Sequence, residues 1–197
     1  VTDKAGKPLD RNPLKDARVR KAMSMAINRQ ALTERTLTGA GIPTGQFMPD
    51  GYYGTSPRLK PDAYDPDGAI RLLVAAGYPD GFAMVLHGPN DAYEQDEQIS
   101  MAVAQMWSRI GIAAKVETMP RSVLGKRSAA LDTSVHLAGF TSDTGEASAS
   151  LRNLVSTYSA EKGRGMANRG RYSNPRFDAM IDEALTVLDE EKREDLP

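Results

Sequence analysis

The spacing of hydrophobic positions changes several times along this chain, and each change marks an element. From Asp16 onward, Val19, Ala22, Met23, Ala26 and Ile27 recur at helical spacing, which predicts an amphipathic helix capped by Asp16. Arg18, Arg20 and Lys21 fall away from that stripe. Asn28 ends it and can cap a second helix carrying Leu32 and Leu37, which Gly39 and Gly41 stop. Before these helices, residues 1–15 are polar, hold Pro8 and Pro13, and read as a lead-in loop. After them, residues 39–64 lose all periodicity and are crowded with Gly and Pro, with Tyr52 and Tyr53 among them. A long irregular segment inside a compact domain is usually functional or interface-forming. Order returns at Tyr64-Asp65-Pro66, where Asp65 is placed to cap and Pro66 to open a short helix. Its apolar side is Ile70, Leu72, Leu73 and Ala76, and Gly77 closes it.

A strand–helix alternation follows. Residues 82–87 read as a strand. Ile99, Val103, Met106, Trp107 and Ile110 form a helical stripe that Gly111 ends, and residues 112–118 read as the next strand. A helix over about 121–131 leads to a third strand, Asp132 to Phe140, predicted to be buried. This order predicts an α/β domain whose sheet is mixed but mainly parallel and flanked by helices. Residues 147–157 predict a short helix and residues 159–172 a basic, Gly-rich loop. In the last helix Ser173 is placed to cap and Pro175 to start, and the apolar face is Phe177, Met180, Ile181, Ala184, Leu185 and Leu188.

The third predicted strand runs into Thr141-Ser-Asp-Thr-Gly145, a polar turn with one acid, Asp143. Ligands of open α/β sheets bind just beyond the carboxyl ends of strands. Asp143 is therefore the first candidate for function, as a carboxylate that pairs with a cationic group such as an amine. The competing reading is an Asx-turn acid bonded to its own backbone. In the basic loop, Lys162, Arg164, Arg169, Arg171 and Arg176 stand either as a solvated run or as a source of one arginine, Arg169, for a ligand carboxylate or phosphate.

Composition narrows the chemistry. Apolar residues make up 40% and charged residues 26%, the balance of a globular domain. The formal net charge of −1 gives no global field for nucleic acid, and no nucleic-acid partner is expected. With no cysteine, disulfides, thiolate zinc sites and cysteine nucleophiles are excluded. No apolar run reaches the roughly 18 residues of a membrane-spanning helix. His87 and His136 fall inside predicted strands and read as core or edge histidines, so no metal site is expected. Trp107 reads as core, whereas Tyr52, Tyr53 and Tyr93 on loops are freer to line a cleft. Asp62, Asp65 and Asp67 lack the closing Glu of a calcium loop. Gly39-Ala-Gly41 follows a helix, Gly125-Lys-Arg-Ser128 lacks the upstream glycine of a P-loop, and no serine stands in a Gly-x-Ser-x-Gly elbow. No cofactor and no catalytic residue are expected.

Four blocks together carry a resemblance: Asp16-Ala-Arg-Val-Arg-Lys-Ala22 running on to Ala26-Ile-Asn-Arg29; Tyr64-Asp65-Pro66 with Leu72-Leu73, Ala75-Ala76-Gly77-Tyr78-Pro79 and Gly81-Phe82; Gly111-Ile112; and Tyr172-Ser-Asn-Pro175 with Phe177-Asp178. In this order they resemble the family 5 extracytoplasmic solute-binding proteins, the oligopeptide, dipeptide and nickel class that serves ABC importers. The resemblance implies a type II periplasmic-binding-protein lobe and a monomeric, non-catalytic protein. It further implies a periplasmic location, with a small-molecule or peptide solute and a membrane permease as partners. On it, residues 1–197 are one lobe of a two-lobe protein, with the first lobe and a closing C-terminal segment outside the chain. Gly139-Phe140-Thr141-Ser142-Asp143 is similar to the segment in which peptide binders place an aromatic, usually Trp, and an Asp for the α-amino group. Phe140 and Ala147 depart from the family's Trp and Pro. A sensor or chaperone-like module on the same lobe, or a small hydrolase using Asp143 and Glu146, are the alternatives.

Overall fold

The computed structural model describes residues 1–141 and 145–187. In chain order the elements are α1 (Ala17–Met25), α2 (Arg29–Thr36), α3 (Pro66–Ala75), β1 (Phe82–Pro89), α4 (Asp96–Ser108), β2 (Ile112–Met119), α5 (Arg121–Ala129), β3 (Val135–His136), α6 (Ala147–Leu154) and α7 (Pro175–Ala184). They fall into two compact units: residues 1–43 with 62–139, and residues 44–61 with 140–197.

The first unit is a βαβ sandwich on a three-stranded sheet ordered β2-β1-β3, and both pairings are parallel as the alternation predicts. An antiparallel bridge from Thr2 to Ala83 lies on the same side of β1 as β3, so the lead-in segment contributes to the sheet rather than remaining a loop. One sheet face is dry. Phe82, Leu73, Ile112 and Val19 are fully buried there, and Trp107 on α4 joins them. Full burial of a side chain such as Phe82 contributes roughly 1.5–3 kcal/mol. The Trp107 indole N–H donates 2.9 Å to the carbonyl of Met23, which ties α4 to α1 and satisfies the one polar atom the indole brings into the core. Gly81 and Gly111 allow β1 and β2 to start side by side: a Cβ on Gly81 would lie 2.0 Å from the Gly111 carbonyl oxygen.

Caps follow the sequence closely. Asp16, Asn28 and Asp65 each accept a hydrogen bond from the first turn of the helix they precede. Other expectations differ. Ile70 is exposed, whereas the expected Leu73 and Ala76 are buried, together with Ala69. The third strand is two residues long and half-buried, not a buried run from Asp132 to Phe140. The cause lies in its neighbour. The Leu137 N–H still donates 2.9 Å to the His87 carbonyl. The next rung of a parallel ladder would need an N–H from residue 89, and Pro89 has none.

In the second unit, residues 44–61 carry the Gly- and Pro-rich stretch. Tyr53 pairs with Glu146, and the Ala147 N–H donates 2.9 Å to the Tyr53 carbonyl at the start of α6. α6 packs on α7. Asn174, one residue beyond the expected Ser173, caps α7. Ile181 is buried, whereas Leu185 is exposed and Leu188 lies outside the described residues.

Candidate functional site

The carboxyl end of the parallel sheet is built from the β1–α4 loop and the end of β3. Its anchor is Asp96, the first residue of α4 and 5% exposed. Its carboxylate accepts the N–H groups of Ala92 at 3.0 Å, Tyr93 at 3.1 Å and Glu97 at 2.8 Å. Burial pushes this carboxyl up, but the backbone donors outweigh it and hold it below the usual carboxylate range. Asp91 fastens the other side of the loop by accepting the N–H of Arg121, where α5 begins without a side-chain cap of its own. The loop thus presents Tyr93 from a backbone tied at both ends.

The Tyr93 hydroxyl accepts the Gly139 N–H at 2.7 Å. A Cβ on Gly139 would lie only 2.7 Å from the Tyr93 ring, so only glycine lets the ring close over the strand end. The next residue, Phe140, begins the second unit. Phe140 is 38% exposed and Thr141 is exposed. Ser142 and Asp143 lie outside the described residues. Where the chain is described again, Gly145 turns with a positive φ of 71°, and Glu146 and Ala147 are fastened to Tyr53.

Arg169 lies in the loop between α6 and α7, with one guanidinium nitrogen donating 2.8 Å to the Met166 carbonyl. Among the described residues no hydrogen bond or ion pair joins it to Phe140 or Thr141. Other cations of this loop are occupied within their own unit. Arg164 is largely buried and lies 3.4 Å from Asp178 and 2.9 Å from Asp182 on α7. The Arg171 guanidinium stacks 3.8 Å from the centre of the Tyr158 ring. Arg164 is thus neither a solvated charge nor a ligand group. The signal for it was the pair Asp178 and Asp182, four residues apart on one helix face.

The histidines are side by side, His87 opposite His136 in the β1–β3 register. His87 is buried, with Nε2 3.7 Å from Glu117, and His136 meets the Thr133 hydroxyl at 3.2 Å. A polar cleft of about 320 Å³ on this sheet face has His87, Glu117, Arg127 and Asp132 on its walls. Its charges are already paired, Lys115 with Glu117 and Arg127 with Asp132, each at 2.9 Å. Lys115 is the main reason the Glu117 carboxyl sits below its ordinary range. No group of three His, Asp or Glu among the described residues is arranged to hold a metal ion.

A family model described as bacterial extracellular solute-binding proteins, family 5, middle, matches residues 5–162. Heme-binding protein A of Haemophilus influenzae is 26% identical over 190 residues, 93% of this chain and 34% of that protein. The dipeptide-binding protein of Escherichia coli is 26% identical over 95% of this chain and 35% of its own length. The glutathione-binding protein GsiB of Salmonella paratyphi A is 30% identical over 92% and 36%. Among solved structures, HbpA2 from Haemophilus parasuis superposes with a TM-score of 0.85 at 22% identity, over 99% of this chain and 37% of that one. DppA from Helicobacter pylori in complex with the peptide STSA gives 0.85 at 24% identity, over 94% and 36%. The chain spans about a third of the length of these proteins.

Proposed function

As the chain belongs to the bacterial extracellular solute-binding proteins of family 5, we propose that it forms a ligand-binding lobe of an ABC importer's solute-binding protein. Its fold is that of type II periplasmic binding proteins, an α/β arrangement with a mainly parallel sheet flanked by helices. Residues 1–197 make one lobe of a two-lobe protein, and closure of the lobes on solute creates the state that a membrane permease reads. The protein works outside the cytoplasm, in the periplasm, as a monomer without catalysis.

The solute is a peptide or a similar small molecule with a cationic group. Asp143 pairs with that cation, Phe140 packs against the solute, Thr141 and Ser142 offer hydroxyls, and Arg169 is the cation for a solute carboxylate. The observation that carries this reading is the carboxyl end of the parallel sheet, where Gly139 is tied to the β1–α4 loop through Tyr93, with Asp143 four positions further along the sequence. Names of relatives support the class: a dipeptide-binding protein, a glutathione-binding protein and a heme-binding protein. The first two of these solutes carry an α-amine, which favours amine pairing over haem.

The direct test is native mass spectrometry of the protein as its gene encodes it, purified gently from its own host. An amine-bearing solute in one-to-one ratio is expected. Recovery of haem, or of a solute with no cationic group, contradicts the assignment of Asp143.

A further inference from the structure

The net charge of −1 hides an uneven distribution. Residues 1–21 hold seven lysines and arginines against three aspartates. Some of these cations are engaged. Arg18 closes on Asp16 at 2.6 Å, Lys21 pairs with Asp62, and one Arg20 guanidinium nitrogen donates 3.0 Å to each of the Leu14 and Lys15 carbonyls. Lys4, Lys7, Arg11 and Lys15 are exposed, and among the described residues none of the four makes an ion pair. The segment that carries them is held in shape. Thr2 bridges Pro8 antiparallel, and Asp3 closes the turn between them by accepting the N–H groups of Ala5 and Lys7, each at 2.9 Å. Asn12 accepts the Leu14 N–H at 3.0 Å and starts one turn of 3₁₀ helix, Pro13–Lys15. Pro13 is fully buried, and Leu9 and Leu14 pack against the core of the first unit. With the apolar side chains turned inward, the four cations are left on the outer side. Of the acids in the same stretch, Asp3 is committed to its turn and Asp10 is exposed, which leaves a local excess of positive charge.

The composition of this surface selects its partner. No aromatic residue and no Met stands in 1–21, and no large apolar side chain is exposed there. Protein interfaces draw their energy from such anchors and are poor in Lys. Separate, flexible cations with nothing large and apolar between them match a fluid anionic surface, on which each charge finds its own counter-charge. We propose that Lys4, Lys7, Arg11 and Lys15 form a docking strip for a membrane surface rich in anionic phospholipid headgroups. Resting on the importer reading above, the strip holds the protein reversibly at the membrane in which its permease sits. The contact is electrostatic, weakens with salt and needs no solute.

The test is flotation of the full protein with vesicles of phosphatidylcholine alone and of phosphatidylcholine mixed equally with phosphatidylglycerol, at low and at physiological salt. Wild type is expected to bind only the mixed vesicles, and less as salt rises. Lys7→Gln, the pair Lys4→Gln with Lys7→Gln, and the four substitutions Lys4→Gln, Lys7→Gln, Arg11→Gln and Lys15→Gln together are expected to lose about fivefold in partitioning for each cation replaced. A control carrying Arg35→Gln, Arg58→Gln, Arg109→Gln and Lys126→Gln removes the same charge from exposed positions elsewhere and is expected to bind as wild type does. Equal losses in the control and the fourfold variant overturn the strip, because net charge alone then decides. Wild-type protein that ignores the mixed vesicles, or binds phosphatidylcholine equally, overturns it as well. Loss of all binding through a single substitution marks a keyed contact of the kind a protein partner makes, and overturns the lipid assignment. Vesicle binding needs no solute, so the importer reading stands or falls separately, on the solute that native mass spectrometry recovers.

Discussion

Single residues hold this site through a few hydrogen bonds of high value, and Asp96 is the one with the most to lose. It is buried, ionised and satisfied by backbone N–H groups from both sides of the turn it closes. Its folded-state pKa lies below the ordinary value. The stability it contributes is therefore present above the unfolded pKa, about 3.9, and is lost as pH falls through the folded value. Asp96→Asn is expected to lower stability at pH 7 by about 1.5–3 kcal/mol, measured by urea denaturation. The gap between variant and wild type should close as the pH drops below about 4. A gap that persists unchanged in acid would show that charge is not what Asp96 supplies. Capping residues such as Asp16, Asn28 and Asp65 were legible in the sequence, because a cap acts on its own next turn. The Tyr93–Gly139 contact was not, since its partners are 46 positions apart and nothing local marks either one.

Elements were legible where their own pattern decides them and illegible where a neighbour decides. The βαβ order, the parallel pairing and the helix at 96–108 follow from periodicity and glycine stops. The third strand was overextended, because its limit is set by Pro89, a residue of another strand. The loop between α6 and α7 makes the same point through charge. Its arginines look uncompensated within the loop, yet Arg164 is neutralised by two acids of α7. Asp178 also accepts the Thr157 N–H at 2.8 Å, so the two charges and this bond close the loop onto the helix. Arg164→Met is expected to cost about 3 kcal/mol, because it leaves Asp178 buried without its partner. Arg176→Met, at an exposed position of α7, is expected to stay within about 0.5 kcal/mol. Equal effects in denaturation would show that the Arg164 pair is no more than a surface contact.

At the scale of the whole chain, the division into units was the least legible feature. The Gly- and Pro-rich stretch announced irregular structure over 39–64, but not that 44–61 would leave the first unit and join residues from beyond 139. Long-range assembly of that kind is written in no local period. Family blocks, by contrast, were readable across nearly the full length, and the family model covers residues 5–162. The boundary between the units falls at Gly139–Phe140, just before the stretch whose sequence carries Asp143.

The central claim is that Asp143 binds the cationic group of a solute. It is tested most directly by titrating the solute that co-purifies with the full protein into wild type and into Asp143→Ala, by calorimetry at pH 7. The account predicts a loss of about 2–5 kcal/mol in binding free energy, or roughly thirtyfold or more in Kd, with an unchanged melting temperature in the absence of solute. Wild-type affinity in the Asp143→Ala protein would contradict it.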